Sequence, residues 1–228
     1  ISWGDGLMTQ PSWDKIFKTD EKQPTLYQKQ REYNTSTTQI KTSDQCLHSF
    51  HSDIFSPEDI NKIIEVGDSL TLQEARISVE GHKGEARADH KTDPSIRRGG
   101  IGWIVPPEHI PSLIPNIIKI WGGKYKHFQD IQYGVYKIGD HYTWHMDTIK
   151  SPMTTTKRVS AAVVQLSDPS DYGGGFLEID NGKEIISVEK KQGLVTILPI
   201  DVRHRVTEVT SGIRKTLVIW ALGDQYMG

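Results

Sequence analysis

The sequence predicts a mainly β domain with flanking helices, its core a double-stranded β-helix of the jelly-roll or cupin-like kind. Three observations predict it: helical periodicity is confined to the first half of the chain, short apolar or alternating runs crowd the second half, and turn-rich sequences separate those runs. Strands spaced so closely, without helices between them, build a sandwich or barrel and not a series of parallel β-α-β units.

Taken in order, residues 1–45 are polar, lack sustained periodicity and read as an irregular N-terminal extension with apolar anchors such as Trp3, Trp13 and Tyr27. Residues 46–228 read as one domain, with supporting helices first and the β-helix after them. The first helix follows Phe55: Ser56 caps it, Pro57 suits its first turn, Asp59 completes a capping-box spacing, and Ile60, Ile63 and Ile64 form its apolar face. Charged and turn-forming residues dominate 79–100, which reads as a long loop. A second amphipathic segment spans Ile110 to Trp121; Pro115 kinks it or delays its start, and Gly122-Gly123 stops it. The predicted strands are Gln132–Lys137, Val159–Leu166, Phe176–Ile179, Glu184–Val188, Leu194–Pro199, Val206–Val209 and Lys215–Leu222, with a hairpin at Asn181-Gly182.

Composition narrows the functional classes. The 228 residues suffice for one sizeable core, and 27 basic against 29 acidic side chains give no general attraction to nucleic acid or anionic membrane. A lone cysteine, Cys46, excludes an intrachain disulfide framework and fits a reducing compartment, so a cytoplasmic location is expected. No apolar run approaches the roughly 20 residues that span a bilayer, and the opening ISWGDGLMTQ lacks the features of a signal peptide. Ile1 fits processing or truncation.

The chemistry concentrates in YKIGDHYTWHMD, Tyr136 to Asp147. On an extended strand His145 and Asp147 are two positions apart and point to one face. His204, in DVRHRV, offers a second imidazole from a later strand. Two histidines and a carboxylate occupy one face of an octahedral iron and leave positions for reactants; a catalytic zinc could also use these three. Arg214 lies ten residues beyond His204. If residues 204–209 and 215–222 pair across the TSG turn, its guanidinium fork can face the same cavity and clamp a carboxylate, with Tyr136 adding a phenolic hydrogen bond. The plainer readings are surface charge for Arg214 and core packing for Tyr136.

Together Tyr136, Gly139, Tyr142, His145, Asp147, the glycine-rich GGGFLEI from Gly173 to Ile179, His204 and Arg214 resemble the iron(II)- and 2-oxoglutarate-dependent dioxygenase superfamily, especially its prolyl 4-hydroxylase-like branch. The similarity covers about residues 100–223. It implies that His145, Asp147 and His204 hold Fe(II), and that Arg214, with Tyr136, binds the distal carboxylate of 2-oxoglutarate. It places Tyr142 near substrate and iron, as a catalytic-site residue. Trp220 either closes the cosubstrate pocket or packs the barrel core. Many prolyl hydroxylases carry lysine where Arg214 stands; Lys215 is adjacent, but the spacing favours Arg214. The implied reaction consumes O2 and 2-oxoglutarate, forms succinate and CO2, and hydroxylates an unactivated carbon, with ascorbate as the expected reductant.

A prolyl residue in a peptide or protein is the leading expected substrate. Another amino acid, a small metabolite, or a catalytically silent β-barrel that binds metal or ligand are the alternatives. Neither a basic stripe nor a base-stacking motif points to nucleic acid, and the oligomeric state is not legible. His141 and the other scattered histidines lack spaced partners. Glu178 reads as a substrate contact or, by default, a solvated strand residue; Arg97 and Arg98 as binders of an acidic partner or, by default, solvated surface; and Arg158 and Ser160 as residues that frame the pocket.

Overall fold

The computed structural model describes residues 48–79, 89–104, 110–125, 127–148 and 156–224. The 1–45 extension and the centre of the 79–100 segment lie outside those residues. Seventeen strands and two α-helices are ordered along the described chain. After β1 (Ser49–His51), helix α1 (Pro57–Asp68) begins with the expected capping box: Ser56 Oγ accepts from Asp59 N at 3.1 Å, and Ser56 N donates to Asp59 Oδ2 at 2.9 Å. Helix α2 is Leu113–Ile120, shorter than the apolar pattern of 110–121. Pro115 stands in its first turn, where a missing N–H leaves no bond broken, so the helix starts late and does not kink. Gly122 and Gly123, at φ 59° and 78°, end it. Asn116 donates to Asp59 Oδ2 at 3.0 Å and ties the two helices together.

The segment predicted as a loop is instead partly strand. After β2 (Gln73–Glu74), β3 (Ile77–Val79) pairs with β4 (Asp89–Lys91), and β5 (Arg97–Arg98) and β6 (Gly100–Ile104) follow. Within that segment β4 and β5 are only two or three residues long and rich in charge, so no alternation announces them. Then come β7 (His127–Phe128), β8 (Ile131–Tyr136), β9 (His141–His145), β10 (Thr156–Gln165), β11 (Tyr172–Gly174), β12 (Leu177–Asp180), β13 (Ile185–Ser187), β14 (Val195–Pro199), β15 (Arg203–Val206), β16 (Val209–Gly212) and β17 (Arg214–Asp224).

Two sheets face one another. The larger runs β1-β14-β10-β17-β8-β6-β2, with β7 also on β17; the smaller runs β13-β12-β15-β9-β5. Every pairing between them is antiparallel and most neighbours are distant in sequence, which gives the double-stranded β-helix the sequence predicts. The pairing of 204–209 with 215–222 does not form. β15 pairs with β12 and β9, β16 pairs with β11, and β17 lies between β10 and β8. The chain changes sheets at Thr207-Glu208, where Thr207 Oγ1 accepts from Phe176 N at 2.8 Å and Glu208 O from Gly175 N at 2.9 Å.

The larger sheet is buried on both faces, so its strands are nearly continuous apolar runs. Leu217, Ile219 and Ala221 of β17 and Ile131, Tyr133 and Val135 of β8 pack against the helices with Ile60, Ile63, Leu113 and Ile117. Alternate residues of the same strands, among them Gln132, Tyr136, Arg214, Val218 and Trp220, line the barrel interior. Gly67 in α1 marks how closely the two layers approach, since a β-carbon there would collide with the Tyr133 ring. Gly67→Ala therefore reverses the usual gain of about 1 kcal/mol from alanine in a helix. Overpacking should destabilise the fold by about 1–3 kcal/mol, read as a lower midpoint in urea with an unchanged slope.

Candidate active site

β15 and β9 lie side by side with His204 directly opposite His145. Asp147 follows β9 by two residues, and its backbone N donates to Ile200 O at 3.2 Å, which anchors the exit of the strand. The result brings one ligand atom of each of His145, Asp147 and His204 within 4.8 Å of one another. His145 Nε2 is 3.7 Å from Asp147 Oδ1, and His204 Nε2 is 3.8 Å from Asp147 Oδ2.

Both imidazoles are oriented by their own strands. His145 Nδ1 lies 2.8 Å from Thr143 O, and His204 Nδ1 2.9 Å from Val202 O. A backbone carbonyl only accepts, so Nδ1 carries the proton in each ring and Nε2 presents its lone pair toward the aspartate. Burial, reinforced by His204, holds His145 far below the ordinary histidine value, at about 3, so it is neutral at physiological pH. Burial opposes the charge on Asp147, yet His204, His145, Arg158 and Trp220 together hold its carboxyl below the usual carboxylate range. Neutral nitrogens and an ionised oxygen are the states a divalent metal requires.

Trp220 lines the cavity and also reaches the metal triad. Its Nε1 donates to Asp147 Oδ2 at 2.9 Å, and the Arg158 guanidinium lies 3.8 Å from the centroid of its ring. Arg158 in turn donates through Nε to Gln129 Oε1 at 2.6 Å. Trp220 thus fixes the carboxylate while still lining the cavity. Trp220→Phe keeps the ring and deletes the donor; a loss of about 10–100-fold in metal affinity is expected, measured by competition with a chromogenic chelator.

Tyr142 stacks on His145 with centroids 3.4 Å apart and an interplanar angle of 12°. Arg97, its cross-strand neighbour on β5, places its guanidinium 4.6 Å from the same ring centroid. Burial, opposed by Arg97 and helped by Asp147, pushes the Tyr142 phenol up to about 12, so it remains a hydrogen-bond donor. Surface solvation was the default expectation for Arg97; the short strand β5 turns it into the cavity instead. Arg98 does stay at the surface, paired with Asp140 Oδ1 at 3.2 Å.

Arg214 sits opposite Tyr136 in the β17–β8 register and is 2% exposed. Its guanidinium lies 5.4 Å from the Tyr136 ring centroid and interacts electrostatically with both Tyr136 and Tyr172. The Nε atom is buried without a partner. Burial depresses the Arg214 pKa, and no described carboxylate forms an ion pair with it. Lys215 points to the other face, where Nζ meets Asp68 Oδ2 at 2.6 Å. The glycine run makes room for this cation: a β-carbon at Gly175 would stand 3.0 Å from Arg214 Cδ, and Gly174, at φ 63°, has no space beside Glu208 O.

A cavity of about 820 Å³ joins these parts, lined by the metal triad together with Tyr142, Arg158, Trp220 and Arg214. Other residues singled out in the sequence stay outside it. His141 Nδ1 lies 3.2 Å from Gly139 O, Glu178 pairs with Arg205 at 2.7 Å, and Ser160 bridges Trp121 Nε1 and Leu198 O. His82 and His109 lie outside the described residues.

Fold and site define a double-stranded β-helix protein with a two-histidine, one-carboxylate face at its open cavity. Residues 131–222 match the model of the 2OG-Fe(II) oxygenase superfamily. It is 37% identical over 82 residues to a PKHD-type hydroxylase of Prochlorococcus marinus, an alignment covering 36% of each chain. The chain spans 36% and 35% of the lengths of the first two curated relatives it matches. A Pseudomonas putida prolyl-4-hydroxylase superposes with a TM-score of 0.59 at 18% identity, over 77% of this chain and 91% of that one. A prolyl hydroxylase from Trichoplax adhaerens, solved with a hypoxia inducible factor oxygen degradation domain peptide fragment, gives 0.59 at 15% identity, over 77% and 83%. At these identities the superpositions speak to the fold.

Proposed function

We propose that this protein is an iron(II)- and 2-oxoglutarate-dependent dioxygenase that hydroxylates an unactivated carbon, a prolyl residue in a peptide or protein. One observation carries the reading: three oriented metal-ligand atoms and a buried arginine with an unpartnered N–H line the same cavity. The donor set fits ferrous iron, because two neutral nitrogens and one carboxylate fill one face and leave the cavity side open. A closed zinc site needs a fourth protein ligand, and among the described residues the cluster holds three.

In this reading His145, Asp147 and His204 hold the iron. Arg214 receives the distal carboxylate of 2-oxoglutarate, with Tyr136 and Tyr172 flanking its guanidinium. Bound iron with 2-oxoglutarate and O2 supplies the oxidising chemistry, with succinate and CO2 as coproducts. The chain's own residues bind and orient: Trp220 holds the Asp147 carboxylate, Arg158 adds a favourable positive charge beside it, and Tyr142 walls the His145 side. Peptide or protein substrates are supported by the prolyl hydroxylases and PKHD-type hydroxylases to which the chain is similar, and by a cavity with volume beyond what the cosubstrate needs. We also assign residues 46–228 to one catalytic domain, ascorbate as the supporting reductant, and a cytoplasmic location. No helix among the described residues is long and apolar enough to cross a membrane.

The test is succinate formation from 2-oxoglutarate under oxygen, with iron(II) and ascorbate, across a panel of proline-containing peptides. Peptide-stimulated succinate with a product 16 mass units heavier is expected, on the mass of one added oxygen. Folded, iron-loaded protein that makes no succinate under any condition would favour the metal-binding barrel without catalysis.

A further inference from the structure

We infer that the substrate brings a carboxylate into this cavity, to Arg97 and Arg158. The inference rests on the oxygenase reading above and adds the substrate's charge. The charged side chains lining the cavity are Arg76, Arg97, Arg158 and Arg214, with Asp130 and Asp147. Arg214 and Asp147 are committed to the cosubstrate and the metal. The two positive charges of iron(II) are matched by the two carboxylates of 2-oxoglutarate. Arg76, Arg97 and Arg158 then face Asp130 alone, in a chain whose formal net charge is -2. The positive excess is therefore local to the cavity, where low-dielectric walls focus it.

The partners of the two inner arginines strengthen the case. Arg97 donates through Nη1 to Arg76 O at 3.1 Å and through Nη2 to Gln132 Oε1 at 2.9 Å. Arg158 donates to Gln129 Oε1 at 2.6 Å and to Asp147 O at 3.5 Å. Each of these acceptors is a neutral amide oxygen. The described arginine ion pairs are Arg98–Asp140, Arg203–Asp180 and Arg205–Glu178, and neither Arg97 nor Arg158 is among them. Gln129 and Gln132 thus hold the guanidinium groups in place without neutralising them, and Arg97 Nε remains buried with no partner. Both guanidinium groups are half-buried, and partly desolvated cations that meet only neutral acceptors form a ready site for an anion.

Both cations also sit one aromatic ring from a metal ligand. Arg97 lies over Tyr142, which stacks on His145, and Arg158 lies over Trp220, which donates to Asp147. A carboxylate held between them places the reacting carbon close to it in the substrate's covalent structure. Two sources share this chemistry: an acidic side chain next to the target residue, or the free α-carboxylate of a peptide C-terminus or amino acid.

The experiment uses the iron-loaded protein with 2-oxoglutarate and matched proline-containing peptides. One series changes Glu beside the proline to Gln or Lys; the other changes a C-terminal proline acid to its amide. The acid member of one series is expected to have kcat/KM at least about tenfold above its neutral partner, through KM, the scale of one charge-assisted pair. Which series responds identifies the source. Arg97→Gln should bring the acid-to-neutral ratio close to one, and Arg97→Lys should restore part of it. Equal stimulation by acid and neutral members overturns the inference, as does no stimulation by any member while substrate-independent succinate persists. Both results leave the oxygenase reading standing. Iron-loaded protein that forms no succinate at all overturns that reading and this inference with it. The peptide series needs no variant, so the test does not depend on Arg97→Gln folding.

Discussion

Asp147→Ala is expected to abolish succinate formation and to strip the protein of iron. Its two carboxylate oxygens lie 3.7 and 3.8 Å from the Nε2 atoms of His145 and His204. Without them the site offers two neutral imidazoles and no charge to offset a dication. Loss of an outer-shell partner alone costs about 10–100-fold in metal affinity, and loss of a ligand should exceed that. The substitution also leaves the Trp220 indole N–H without its acceptor and takes a nearby negative charge from Arg158. The variant should therefore be compared by circular dichroism as well as by metal content and succinate yield. Folded Asp147→Ala protein that retains one iron per chain and wild-type turnover would remove this aspartate from the ligand set.

How much of this was legible in the sequence depends on whether the signal is local. His145 and Asp147 share a face because a strand has a period of two, and that is readable from two letters and a spacing. The cap on α1 is likewise local, with every participant between Ser56 and Asp59. The β-helix could be read as a class, since apolar runs and turns recur, but not as a pairing list. Proximity in sequence suggested that 204–209 would fold back on 215–222. The structure instead sends β17 between β10 and β8, and Arg214 reaches the cavity by lying opposite Tyr136. For the same reason Tyr172 was missed and Arg97 could not be placed in the cavity. Arg97 is in a two-residue strand within a charged stretch, and only its cross-strand register with Tyr142 turns it inward. Tyr172 stands in a turn-rich segment, and its link to Arg214 spans 42 positions that no periodicity connects. The Trp220 assignment shows a further limit: an aromatic at an inward position is legible, but the donor it offers to Asp147 depends on where another strand ends.

Arg214→Met separates binding from folding in a way few substitutions at this site can. The guanidinium is among the largest fully buried side chains, and no described carboxylate balances its charge. A lone buried charge carries a desolvation cost that an apolar side chain of similar length does not, so such replacements are often neutral or stabilising. The ligand-free variant is therefore expected to melt at or above the temperature of the unaltered protein, with the lost Tyr172 contact as the opposing contribution. Cosubstrate binding should collapse, because the distal carboxylate would then be buried without its counter-charge, at a cost of about 2–5 kcal/mol. Melting curves with iron(II) under anaerobic conditions, with and without 2-oxoglutarate, read both effects at once. The unaltered protein should gain about 2.7 kcal/mol of stability at a ligand concentration one hundred times Kd, and the variant should show no shift there. A variant that melts far lower without ligand, yet keeps the ligand-induced shift, would make Arg214 a structural residue. The carboxylate would then have to be received elsewhere, and Lys190 is the other cation that lines the space beside Tyr172 and Arg214.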